Sequence, residues 1–126
     1  MIAPLVFLGI AVAGGAGSVL RFVVDGAVKA RVGGPYPLAT TIINVTGSFG
    51  LGLLTGLAAA AGLPHEWLLM LGGGLMGGYT TFSTASIETV RLAQQGRIGL
   101  TLLNGLGMLV LSVAAAALGL LLGHLA

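Results

Sequence analysis

The sequence predicts an all-α membrane protein built from four transmembrane helices, and three observations carry that prediction. The 126 residues are 56% hydrophobic and only 6% charged, with a mean hydropathy of +1.09. A soluble domain carries about 25% charged residues because its surface must meet water, so the outside of this chain is expected to face lipid. Four apolar stretches, about 2–24, 37–61, 67–90 and 98–122, each reach the ~20 residues that a helix needs to cross a bilayer. Strands are excluded, because four of them cannot close a barrel and an open sheet edge in lipid leaves backbone groups unpaired. The length fits one small bundle over 1–126 and not two domains.

The first stretch opens MIAPLVFLGIAVAGG. It lacks a positive n-region and reads as a span, not a cleaved signal peptide. The joint DGAVKARVGGPY leads to the second span, Pro37 to Ala61. GLPHE leads to the third, Trp67 to Val90, and RLAQQGR to the fourth, Ile98 to Leu122. Pro, Gly and the charges gather in these joints, as turn chemistry requires. Small residues recur at every fourth position: Gly9, Ala13 and Gly17; Ser48, Gly52 and Gly56; Ala115, Gly119 and Gly123. Such faces let helix backbones approach closely in lipid. All 5 Lys and Arg residues (Arg21, Lys29, Arg31, Arg91 and Arg97) fall on one side of this arrangement. The positive-inside rule then places both termini outside.

Composition excludes several classes of activity. Without cysteine there is no disulfide framework and no thiol chemistry. The cations are too sparse for nucleic acid. His65 and His124 share no ligand spacing, and no Ser has a neighbouring His to activate it. Gly72, Gly74 and Gly77 spell G-x-G-x-x-G, but no strand precedes them and no βαβ unit surrounds them. The chain is therefore not expected to be an enzyme.

The polar residues within the spans are the candidates for function. Arg21, about one turn from the end of the first span, fits either a side chain that snorkels to the interface or a cation that attracts an anion at a vestibule. Asn44, about two turns into the second span, has the depth of an amide that binds across a helix interface, and it shares a face with Ser48. The run GGGLMGGYTTFSTA at 72–85 places Gly77-Gly78 near the bilayer midplane. Each Gly costs roughly 1 kcal/mol against Ala in a helix interior, and β-branched residues follow. The third helix is expected to break there, which lipid tolerates only where the freed backbone is buried or lines a cavity; an intact packing helix is the alternative. Ser83 and Thr84 can bond back to their own helix, yet Thr81, Thr84 and Glu88 share one helical face. Ser112 adds a hydroxyl at mid-depth in the fourth span. Glu88 is ionisable and within a span, hence a candidate site by default. Hydrogen-bond donors without buried bases favour an anion, and the edge of the Phe82 ring carries partial positive charge.

These runs resemble the Fluc (CrcB) family of fluoride channels across the whole chain. The resemblance is carried by GGAGSVLRF from Gly14, NVTGSFGLG from Asn44 and GGYTTFSTASIE from Gly77. It implies a prokaryotic inner-membrane subunit that pairs antiparallel with a second, so that the dimer encloses two fluoride pores. A structural sodium ion would lie at the dimer centre, held by the backbone carbonyls of Gly77 and Thr80. Asn44 and Phe82 would line the pore, and Ser83, Thr84 and Ser112 would form a track of hydroxyls. Glu88 would lie beyond that track and Arg21 at the vestibule. The implied partners are fluoride, lipid and a second subunit, identical or a paired homologue, with no nucleic acid.

Two features depart from the family pattern. The second phenylalanine, three residues after Phe82, is Ala85 here. The charge bias is also large for a homodimer of dual topology, so one member of an unequal pair, non-conducting or half-active alone, is an alternative. A small multidrug exporter is a weaker rival, because it needs an acidic residue that the first span lacks.

Overall fold

The computed structural model describes residues 3–126. Met1 and Ile2, and with Ile2 the expected start of the first span, lie outside the described residues. The described chain is helical with no strand. Helix α1 (Pro4–Arg31) begins with Pro in its first turn, where the missing N–H has no intrahelical partner to lose. Its 28 residues span about 42 Å at 1.5 Å per residue, longer than the ~30 Å hydrocarbon core. The helix therefore continues past Val24 and carries Lys29 and Arg31 out of the core in its last turn. There Lys29 pairs with Asp25 at 3.0 Å, and the basic groups face the negative end of the helix dipole.

Helix α2 (Leu38–Ala61) stops at Gly62, whose φ of 71° and ψ of 33° suit a residue without Cβ. Helix α3 covers 65–79. Its ends are ordinary α-turns, but Leu69–Met76 winds wider, with the Gly77 N–H reaching back to the Gly72 carbonyl. Helix α4 (Ser83–Gln94) follows a non-helical step over 80–82. Helix α5 (Ile98–Leu125) contains a second wide segment, Leu103–Gly107, in which the Met108 N–H bonds to the Leu103 carbonyl. Helices α1, α2 and α5 are each long and apolar enough to cross a membrane. The pair α3 and α4 occupies the remaining apolar stretch.

Glycines set how closely these helices pack. A Cβ at Gly52 would collide with the Ala116 carbonyl, one at Gly56 with the Leu120 carbonyl, one at Gly119 with the Phe49 carbonyl and one at Gly123 with the Leu53 carbonyl. The small-residue faces of α2 and α5 thus meet backbone to backbone. On the other side, Gly17 of α1 abuts the Leu75 carbonyl and Gly78 abuts the Gly14 carbonyl, which docks α3 on α1. In lipid no hydrophobic force drives helices together, so close van der Waals contact is what holds them. The buried apolar residues are few (Ala39, Ile43, Tyr79, Leu92 and Met108), while Phe7, Val12, Leu109, Val113 and many others point outward. That pattern suits a chain whose solvent is lipid.

Substituting Gly52 by Val is expected to destabilise the subunit by at least the 1–3 kcal/mol typical of overpacking, because the obstructing atom is backbone. Gly26→Ala, where a Cβ meets nothing within 4 Å, should leave the melting temperature in detergent unchanged or raised. Equal melting temperatures for the wild type and Gly52→Val would contradict the observed packing.

Candidate functional site

The step at 80–82 is built by five hydrogen bonds. Thr80 turns extended, at φ −78° and ψ 160°. Its N–H and its hydroxyl both donate to the Met76 carbonyl, at 3.0 and 2.9 Å, which closes the end of α3. The chain then needs partners for the backbone of Thr81, and α2 supplies them. The Thr81 N–H donates to Asn44 Oδ1 at 2.8 Å, and Asn44 Nδ2 donates to the Thr81 carbonyl at 2.8 Å. One side-chain amide replaces the two bonds that a continuing helix would have made. Thr81 in turn caps α4, its Oγ1 accepting the Thr84 N–H at 3.1 Å. The carbonyls of Gly77 and Thr80 are left without a backbone N–H among the described residues.

An open groove of about 690 Å³ runs past this step between α2, α3, α4 and α5. Asn44 and Ser48 face it from α2, Gly77 and Thr80 from the end of α3, and Phe82 from the step itself. Ser86 and Thr89 line it from α4, and Asn104, Met108 and Ser112 from α5. The two wide-turn segments flank it through Gly72, Gly73 and Met76 on one side and Asn104 and Gly105 on the other. Wide turns of this kind are frequent at functional sites. Phe82 is 88% exposed, so its ring edge projects from the rim.

The groove brings together only some of the residues singled out from the sequence. Asn44, Gly77, Thr80, Phe82 and Ser112 line it. Ser83 and Thr84, exposed on the first turn of α4, do not, and neither do Arg21 or Glu88. Arg21 is half-buried on α1 and forms no ion pair among the described residues. Glu88 is half-buried, with Oε1 enclosed and without a hydrogen-bond partner among the described residues. The α4 hydroxyls that do face the groove, Ser86 and Thr89, also bond to their own helix, at the Phe82 and Ala85 carbonyls.

Sequence reasoning passed over three groups here. Asn104, 1% exposed, donates from Nδ2 to Thr89 Oγ1 at 2.8 Å and more weakly to the Ala85 carbonyl at 3.5 Å, joining α5 to α4. An amide inside an apolar span is the same signal that marked Asn44. Met108 Sδ accepts a bond from Asn44 Nδ2 at 3.3 Å, and the Tyr79 hydroxyl meets Thr46 Oγ1 at 2.9 Å. Nothing in the spacing of Met108 or Tyr79 distinguishes them from packing residues.

Fold and groove together define a class: a small multi-span membrane protein with a groove lined by hydroxyls, amides and carbonyls that are unpaired among the described residues. The family model described as CrcB-like protein, Camphor Resistance (CrcB), matches residues 8–120. The chain is 58% identical over 123 residues to the fluoride-specific ion channel FluC 1 of Leifsonia xyli subsp. xyli, covering 98% of this chain and 90% of that protein. It is 46% identical over 120 residues to the fluoride-specific ion channel FluC 2 of Mycolicibacterium paratuberculosis, covering 95% of each. The chain belongs to the CrcB family.

Replacing Asn44 by Ala leaves both backbone groups of Thr81 unpaired, at about 1–3 kcal/mol for each buried group. The expected result is a marked fall in melting temperature and faster amide exchange over 79–84. Thr55→Val, which removes a single hydroxyl bond to the Leu51 carbonyl on the exposed face of α2, should cost about 1 kcal/mol or less. Comparable losses for the two variants would show that Asn44 does not brace the step.

Proposed function

We propose that the chain is a subunit of a fluoride channel that lets cytoplasmic fluoride leave the cell down its electrochemical gradient. Family membership with relatives named as fluoride-specific channels carries the reading, and the groove chemistry supports it. Fluoride is small and strongly hydrated, so a path through lipid must replace its water with fixed donors at several sites, each weak enough to allow escape. Phe82 offers a ring edge, Ser112 a hydroxyl and Asn44 an amide, all on one groove. Ser83 and Thr84 would extend the track where a second subunit closes over the exposed start of α4. Arg21 would attract the anion at the entrance, and Glu88 would lie at the far end.

A second, antiparallel subunit completes this picture. The groove is open on the single chain and Phe82 is largely bare. In the proposed dimer the third apolar stretch breaks near the bilayer midplane, and the unpaired carbonyls of Gly77 and Thr80 meet their counterparts around a sodium ion. Carbonyl oxygens without hydrogen-bond partners suit a hard cation. Such a cation about 10 Å from fluoride attracts it by roughly 1.7 kcal/mol at an effective dielectric near 20. The 5-to-0 distribution of Lys and Arg favours a fixed orientation, and hence a partner homologue of opposite charge bias. The exporter alternative is not favoured: Asp25, the acidic residue of α1, is at its charged end and paired with Lys29.

Proteoliposomes containing this protein should release fluoride but not chloride, as measured with ion-selective electrodes, and Phe82→Ile should abolish release while the dimer persists on a sizing column. Unchanged release would refute the proposed path. If this chain needs an unequal partner, release appears only on co-reconstitution with it. Replacing sodium by a large organic cation should lower the melting temperature of the dimer, and no effect would count against the central ion.

A further inference from the structure

We infer that Met108 is a positioning residue for Asn44, holding in reserve the amide hydrogen that Asn44 offers to the permeating anion. The inference rests on the channel reading above. Asn44 has two N–H groups and one carbonyl oxygen, and all three are engaged. Oδ1 and one N–H are committed to the Thr81 backbone at 2.8 Å each. The other N–H has a single partner, Met108 Sδ, at 3.3 Å. As the groove is built, Asn44 therefore has no free donor, although it lines the path.

The two commitments differ in strength. The Thr81 bonds are short, paired and made to backbone that lipid cannot resolve by hydration. The Met108 bond is to a thioether, a weak acceptor, on a flexible side chain with three rotatable bonds. Met108 is 5% exposed, so its sulfur is held in place beside the amide. An anion in the groove competes for this hydrogen, because hydrogen bonds to an ionised acceptor are roughly twice as strong as neutral ones. Fluoride takes the second N–H from sulfur while the first stays on the Thr81 carbonyl, so the step at 80–82 is undisturbed as the ion passes. When the ion leaves, the thioether accepts the hydrogen again. No orphan donor is left behind, and the net hold on the ion is weakened by the value of the N–H···S bond. Weak holding is what conduction requires.

Met108→Leu tests this, since it conserves volume and removes the acceptor. Sodium fluoride is titrated into the purified full-length protein while the side-chain amide signals of Asn44 are followed by NMR. In the wild type one Asn44 Nδ2 proton should shift and the other should stay. In Met108→Leu the fluoride dissociation constant should fall roughly threefold to tenfold, the value of one modest hydrogen bond, with the backbone signals of 79–84 in place. An unchanged constant in a wild type that releases fluoride overturns the role of Met108 and leaves the channel reading intact. A wild type that releases no fluoride overturns both. If Met108→Leu does not fold, the wild-type titration decides alone: two shifted protons, or none, overturn the inference.

Discussion

The two hydrogen bonds between Asn44 and the backbone of Thr81 are the constraint on which the site depends. A polypeptide that leaves the helical conformation within an apolar span exposes groups that water cannot satisfy, at a cost of several kcal/mol each. Asn is chemically suited to the repair, because its side chain carries the same acceptor and donor as a peptide group. By pairing with Thr81 it supports a turn out of the helix between Tyr79 and Ser83. It also determines which backbone oxygens remain unpaired. The Thr81 carbonyl is occupied, while those of Gly77 and Thr80 are not.

That repair works only if α2 approaches the step closely, and the approach is a matter of small side chains. A Cβ at Gly47 would collide with Thr80 Cγ2, so even the turn that carries Asn44 depends on an absent methyl group. The same economy joins α2 to α5 through Gly52, Gly56, Gly119 and Gly123, and α1 to α3 through Gly17 and Gly78. With backbones in contact, the wide segments of α3 and α5 line one groove. The two amides there are held by bonds to other elements: Asn44 to Thr81 and Met108, and Asn104 to Thr89.

How far the site was legible varies from residue to residue. Asn44 stood out because an amide deep in an apolar span must find a partner, and Phe82 and Ser112, singled out as pore residues, line the same groove. The face of α4 was not legible. Spacing shows that Thr81, Thr84 and Glu88 share a side of a helix, but it does not show which side turns inward. In the fold, Ala85, Ser86 and Thr89 face the groove, while Ser83 and Thr84 are exposed. The step itself is one reason. Phase cannot be carried from α3 to α4 through a residue at ψ 160°, so the orientation of α4 is set by its contact with α5 and not by the register of what precedes it.

The resemblance of three runs indicated the family, while composition and order alone determined that this chain is helical, that its solvent is lipid and where its polar joints fall. Those properties follow from local physics: transfer of side chains into hydrocarbon, the length needed to cross it, and the backbone preferences of Gly and Pro. The tertiary structure decided which chemically similar groups meet. Asn44 bonds to residues 37 and 64 positions away, and that choice among many hydroxyls, carbonyls and sulfurs was made by interhelical distances that only close packing sets.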